Sequence, residues 1–269
     1  MRWIAAFSAV ALAIAPMPVL AANQTITQLK VSEQEAQDQE VLKKAYQSGS
    51  LQAAKAFEKD LTTVLSHAPA SYPQIERRDD LTIIRAQSRT AAMSGAILVS
   101  TLNSREGKAG TVATSLNTYP MAALLLGSIA NEQRDPRGAI AYLDKGLALQ
   151  PDNLALITEK GGALVVLKRF SDALDLYERA EKIDFITKLL EPGGEARVLR
   201  GKGFALIELK RLDEAQAAYE AALKLEPNHA GAKAELEYIK KQRGGGAQAD
   251  IGLVTGDKAK DGDAAPPKP

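Results

Sequence analysis

The chain offers few side chains that could do covalent chemistry. It has no cysteine, which excludes thiol catalysis, disulfides and Cys-ligated zinc. Its two histidines, His67 and His229, stand in turns near Pro69 and Pro227. They share no metal-ligand spacing such as His-x-x-x-His, and both read as solvated turn residues. Asp79-Asp80 is the nearest approach to an acid pair. Adjacent residues do not face each other across a substrate, so the pair reads as a helix start before Leu81. The glycines at 161–162, 193–194, 201, 203 and 244–246 follow no strand pattern. Gly201-Lys202 lacks the upstream Gly and the following Ser or Thr of a phosphate-binding loop, and no Gly-x-Ser-x-Gly elbow occurs. No catalytic, cofactor-binding or metal-binding set emerges, and the sequence reads as that of a non-enzyme. The set best suited to recognition is Arg197, Arg200 and Phe204, spaced three and four apart on one side of one helix. A guanidinium pairs bidentately with a carboxylate, and Arg and aromatic side chains are enriched in binding hot spots. The strip therefore suits an acidic, partly apolar segment, although a solvated basic face is the plainer account of the same arginines.

The elements that must carry this strip come from an ordinary globular composition, with 45% apolar and 25% charged residues in 269. Lys plus Arg is 34 and Asp plus Glu is 33, and Arg2 is the single charge in the first 22 residues. The remainder is formally neutral, which argues against nucleic acid or an anionic membrane as partner. Aromatics are only 5%, so the core must be mainly Ala and Leu. The start is an address rather than a fold. Arg2 precedes an uncharged apolar run from Ile4 to Ala15, and Pro16 and Pro18 lead to the small residues Ala21-Ala22. These are the parts of a secretory signal, expected over 1–21 with cleavage after Ala21 or Ala22. The run is short for a membrane span, which needs about 20 apolar residues, so no stable membrane insertion is expected after cleavage. The expected location is periplasmic or secreted. Asn23-Gln24-Thr25 matches a glycosylation sequon by chance.

A period of 34 runs through the middle of the chain. Gly127 and Gly161 are one period apart, as are Ala139 and Ala173, and Gly203 and Ala215 follow after one period plus eight residues. Leu143, Tyr177 and Tyr219 come four residues after each Ala, and Gly146, Ala180 and Ala222 three after that. Pro151 and Pro227 close the first and third units, with Phe185 at that place in the second. The units are 120–153, 154–187 and 196–229, and the extra residues, Lys188 to Glu195, have the composition of a loop. Each unit reads as two helices, with apolar residues at spacings of three and four. Asp135 is placed to cap a helix that begins at Pro136. Small residues at fixed places let two antiparallel helices approach, so Gly127, Gly161 and Gly203 should lie where helices nearly touch.

This pattern resembles the tetratricopeptide repeat family, whose motif has Gly, Ala, an aromatic, a small residue and Pro at these places. The segment GFALIELKRLDEAQAAYEAALKLEPNHA, 203–230, is a close match. GGALVVLKRFSDALDLYERAEKIDF, in the middle unit, lacks the final Pro. All three units lack the family's Trp, and Lys160 and Lys202 stand where Leu is usual. The resemblance implies an all-α, helical-hairpin solenoid wound as a right-handed superhelix. The first helix of each pair would line a concave groove that holds a peptide or helix. By register the groove residues are Leu124, Leu125, Ser128 and Asn131, then Thr158, Glu159, Gly162 and Val165, then Arg197, Arg200, Phe204 and Glu208. The Lys and Asn set with which relatives clamp a peptide's terminal carboxylate is absent, which argues against a chaperone-tail receptor.

Beyond the repeats, 230–242 carries Ala232, Leu236 and Ile239 on one stripe and reads as the polar-faced helix that caps a repeat array, closing a repeat region of 120–243. The segment 244–269 is rich in Gly, Ala, Asp, Lys and Pro and is expected to be disordered. Residues 22–119 show no convincing strand pattern and are expected to be helical, with helices at 32–47, 51–66 and 74–103. Ala53 and Phe57 are spaced as in a repeat's second helix, so the region is open to being degenerate repeats. The expected function is a secreted or periplasmic scaffold or adaptor that binds a protein or peptide partner. The alternatives are an enzyme or carbohydrate-binding protein with its site in 22–119, or an inner-membrane-anchored assembly factor.

Overall fold

A computed structural model describes residues 24–244. The expected signal segment, 1–21, and all but Gly244 of the expected tail lie outside these residues. The chain falls into two compact units, the first formed by residues up to Lys160 together with Ile183–Pro192, the second by Gly161–Lys182 and the residues from Gly193 onward.

The first unit begins with a four-stranded sheet. Its strands are β1 (Gln24–Gln28), β2 (Ile75–Arg78), β3 (Leu81–Ala86) and β4 (Gly110–Leu116), in the order β1-β4-β3-β2. β4 is parallel to both β1 and β3, and β2 joins β3 as an antiparallel hairpin. Between β1 and β2 lie α1 (Glu33–Gln47), α2 (Leu51–Ala54), a 3₁₀ turn (Lys55–Phe57) and α3 (Glu58–Ser66). α4 (Arg89–Arg105) makes the crossover between the parallel strands β3 and β4. Ile84, Ala96, Val99 and Val112 pack together with Leu190.

This corrects the expectation of helix throughout 22–119. The stripe that suggested one helix over 74–103 joins two elements of different type. Leu81 and Ile84 belong to β3, and Ala91, Leu98 and Leu102 to α4. Every residue of β3 after Leu81 is buried, so the strand has no polar alternation to betray its period of two. Asp79-Asp80 is not a helix start but the two-residue turn of the β2–β3 hairpin, with Asp79 at φ +42°. Nor is 51–66 a repeat's second helix: a 3₁₀ turn interrupts it, Ala53 is exposed, and Ala54 is the buried residue. His67 is an exposed turn residue as expected, but not an unpartnered one: its Nδ1 lies 2.9 Å from Oδ1 of Asp38, a carboxylate that is 96% covered.

The hairpins follow the period. α5 (Thr118–Glu132) and α6 (Pro136–Leu149) pack in the first unit, α8 (Phe170–Glu181) packs on α10 (Gly194–Glu208) in the second, and α10 pairs with α11 (Leu212–Leu225). α7 (Leu154–Val166) begins in the first unit and ends in the second. Asp135 caps α6 as expected, its Oδ1 accepting from the Gly138 amide at 2.9 Å ahead of Pro136 at the helix start. Two residues past the end of each first helix stands a basic residue with positive φ: Arg134 (+61°), Lys168 (+58°) and Lys210 (+63°). In the third turn the Arg211 amide reaches back to the Leu206 carbonyl at 2.9 Å and that of Lys210 to Ile207 at 2.9 Å, the paired bonds of a left-handed C-cap. α12 (Ala230–Arg243) packs on α11, burying Ala232 and Ile239.

The repeat glycines sit at close approaches. A Cβ on Gly203 would lie 2.7 Å from the Tyr219 ring, and one on Gly127 2.6 Å from Leu143. Tyr177 is flanked twice, since a Cβ on Gly161 would meet its hydroxyl at 2.2 Å and one on Gly201 its ring at 2.4 Å. In each hairpin the large residue 16 positions on fills the space left by the glycine. Lys160 and Lys202, unusual for the motif, are held by carboxylates of the preceding second helix, Asp144 at 2.6 Å and Glu181 at 2.6 Å.

The inserted segment is more than a loop. It completes α9 (Phe185–Leu189), which starts at the end of the second repeat, and runs on through Leu190 and Glu191, both buried, in the first unit. Leu190 fills the space over Gly95 of α4, where a Cβ would stand 2.3 Å from its Cδ2. Glu191 accepts from the amides of Leu154 at 3.1 Å and Ala155 at 2.7 Å, capping α7 together with Asn153. A carboxylate at a helix N-terminus gains from both the open amides and the dipole.

Candidate functional site

The recognition strip is built on α10 within the second unit. Gly203, Ala205 and Leu206 turn inward and are buried. Arg197 and Glu208 are exposed, while Arg200 and Phe204 are half-buried on the same side of the helix. Arg200 is not a loose charge, because its Nη1 pairs with Glu226 Oε2 at 2.5 Å just after α11. Arg197 is the arginine left presented to solvent. At the other end of the strip, burial and the nearby Glu208 carboxylate hold the Glu235 carboxyl above its usual range. The strip is thus basic at its N-terminal end and acidic at its C-terminal end, a polarity the sequence reading did not include. Its source, the approach of Glu235 to Glu208, depends on how α12 packs.

In the first unit the expected positions divide. Asn131 and Glu159 are brought together, with Asn131 Nδ2 donating to Glu159 Oε1 at 2.9 Å. Leu124 and Ser128 are half-buried, but Leu125 is 6% exposed and belongs to the core. In the second unit Gly162 is half-buried, and Val165 is buried at 7%. Leu125 and Val165 are therefore corrected from groove to core residues. α5 and α7 are so strongly apolar that register alone misassigns a position next to the buried stripe.

The first unit also contains a polar network that the sequence reading missed. Asn117 is fully buried and exchanges bonds with Gln150 at 2.7 and 2.6 Å, and Gln150 Nε2 also donates to the Tyr72 carbonyl at 3.0 Å. Tyr72 donates its hydroxyl to Glu35 at 2.5 Å and lies under the Arg85 guanidinium at 4.2 Å. Burial, then the hydrogen bond to Glu35, pushes the Tyr72 hydroxyl far above its ordinary range. Burial pushes Glu76 the other way from its partners, but the bonds from Arg85 and Arg78 prevail and hold its carboxyl below the usual range. These groups are joined by bonds between residues up to 78 positions apart, so no local motif announces them. Among the described residues no group of three or more His, Asp or Glu side chains could hold a metal ion.

With this geometry in hand, comparison with known proteins bears on the repeat. A family profile described as Tetratricopeptide repeat matches residues 196–229. That stretch holds α10, α11 and the Gly203–Tyr219 contact. No curated protein matches the chain. Among solved structures, PilF of Pseudomonas aeruginosa is similar over 79% of this chain and 72% of its own, at 17% identity and a TM-score of 0.52. MamA of Desulfovibrio magneticus RS-1 is similar over 80% of this chain and 88% of its own, at 15% identity and a TM-score of 0.49. The first TPR domain of human RPAP3 covers 47% of this chain and 93% of its own, at 26% identity and a TM-score of 0.41. The fold is a TPR-like helical-hairpin solenoid, with a small sheet near its start. No helix among the described residues is long and apolar enough to cross a membrane.

Proposed function

We propose that this protein is a non-enzymatic scaffold or adaptor that binds a protein or peptide partner on the first helices of its repeats. The observation that carries the reading is the division of labour on α10. Its motif residues are consumed by packing, and the remaining side presents Arg197 and Glu208 exposed and Phe204 half-buried. Arg and aromatic side chains on an accessible helix are the elements of a hot spot. Asn131 and Glu159 are the corresponding polar residues of the first unit. The signal-like start supports delivery to the periplasm or outside the cell, where the mature chain would begin at Ala22 or Asn23. Neither nucleic acid nor a stable membrane insertion is part of this reading.

The test is partner capture from cell envelopes by the tagged mature chain. A stoichiometric protein should be recovered by the wild type and lost from Arg197→Ala with Phe204→Ala, by ~2 kcal/mol or more in affinity. Undiminished recovery by that double variant rules out α10 as the site. Arg200→Ala is the poorer probe, because removing it also breaks the pair with Glu226. Intact mass of the envelope-extracted protein tests the address, and a full-length form in the membrane fraction would favour an anchor.

A further inference from the structure

A cleft of about 430 Å³ opens in the first unit between β2, the turn after α6 and the strap formed by α9. We propose that it binds an aliphatic cation, an ammonium or guanidinium group on a short hydrocarbon stem. This site is independent of the strip on α10.

Gln74 lines the cleft and is 6% exposed. Its Nε2 donates to Glu191 Oε1 at 3.3 Å, and a carboxylate that caps a helix can only accept, so the amide cannot be turned round. Among the described residues, Gln74 Oε1 is consequently a buried acceptor to which no group donates. An acceptor left in that state costs about 1–3 kcal/mol, which an N–H donor entering the cleft would recover. Arg85 is a buried cation beside it, whose amide donates to the Gln74 carbonyl at 2.9 Å and whose Nε also lacks a partner among the described residues. Arg85 is paired with Glu76 at 2.9 Å, so the carboxylates of the lining favour a donor that is also a cation. Asp152 and Asp184 both line the cleft. Burial pushes the Asp184 carboxyl up, but bonds from Thr187 and Ile186 outweigh it and hold the group below its ordinary range, so it is ionised at neutral pH. α6, a 14-residue helix, ends at Leu149 in the cleft wall and turns the negative end of its dipole there. Pro73, Ile75 and Ile186 supply apolar surface for the stem. Among the described lining residues Arg77 is the one cation; it is exposed, and its field also reaches Glu106.

The cation can come from a free amine or from a basic side chain of a partner. Titration of the full mature chain with agmatine and with the tripeptide Gly-Arg-Gly, followed by calorimetry, separates these sources. Saturable binding of agmatine supports a free ligand, and binding of the tripeptide alone supports a partner's side chain. In either case Asp152→Asn should weaken binding about tenfold, the scale of one charge-assisted bond, without lowering the melting temperature. Asp152 is exposed, so this variant stays informative if Gln74→Met unfolds the unit. Arg77→Ala should tighten binding severalfold. No saturable binding of either probe, or binding that Asp152→Asn leaves unchanged, overturns the proposal.

Discussion

The sheet-bearing start of the chain and the hairpins that follow are held together in different ways. In the hairpins each contact is local and repeated. A missing side chain at Gly127, Gly161 or Gly203 meets a large residue 16 positions on, and a basic residue closes each turn with positive φ. At the start of the chain the contacts are singular and distant. β3 needs β4, about 30 residues later, and Leu190 arrives from far down the chain to fill the space over Gly95. Local contacts of fixed spacing leave a mark in the sequence, and singular distant ones do not. The two regions should accordingly fail in different ways.

The largest effect should come from overpacking a hairpin. Gly161→Leu would drive a side chain into Tyr177 and should cost about 3 kcal/mol, the upper range for such insertions. Gly162, one residue on, has open space, so Gly162→Ala should leave stability unchanged or raise it. Urea denaturation of the two variants reads the contrast, and equal effects would dissolve the assigned register. Removal of a distant contact should come next. Glu191→Ala strips α7 of a buried cap and should cost about 2 kcal/mol, with faster amide exchange at Leu154 and Ala155. If exchange there is unaltered, the strap does not hold the helix.

Smaller changes should go in the stabilising direction. Lys210→Gly relieves a left-handed conformation that costs a non-glycine residue about 1–2 kcal/mol, partly offset by the entropy glycine brings to the unfolded chain. A gain of about 0.5–1 kcal/mol is expected, and an equal gain from Lys168→Gly would show that the turns are equivalent. The smallest effect concerns Glu235. Its folded-state carboxyl is raised by burial and by Glu208, so relative to the unfolded chain it favours folding only while protonated. That contribution is present below the unfolded carboxyl range and is lost as pH rises through the raised folded value. Glu235→Gln should therefore raise the melting temperature slightly at pH 7 and not at pH 3. A gain at both would place its origin outside the carboxylate's charge.

The same contrast explains which parts of the site were legible. Arg197, Arg200, Phe204 and Glu208 were found because the repeat register places them on one side of α10. The bond from Arg200 to Glu226 was not, because it depends on where α11 ends in space. Leu125 and Val165 were misplaced because an almost wholly apolar helix has no polar boundary to mark its buried face. The polar cluster of Tyr72, Asn117 and Gln150 left no trace, since each residue alone is an ordinary member of its segment.

From the sequence by itself came the period, the helix pairs, the Asp135-Pro136 cap and the glycines that admit Leu143, Tyr177 and Tyr219. Each depends on spacing within one or two neighbouring helices, where side-chain direction follows from residue number. Only the tertiary structure decided that 81–86 and 110–116 are strands, because a strand buried on both faces shows no alternation and is specified by its neighbours. It alone turned the first part of the Lys188–Glu195 insertion from a loop into a strap, placing Leu190 over Gly95 and the Glu191 carboxylate on the amides of α7. A buried carboxylate is tolerated only where donors await it, and those donors lie some 36 residues earlier in the chain.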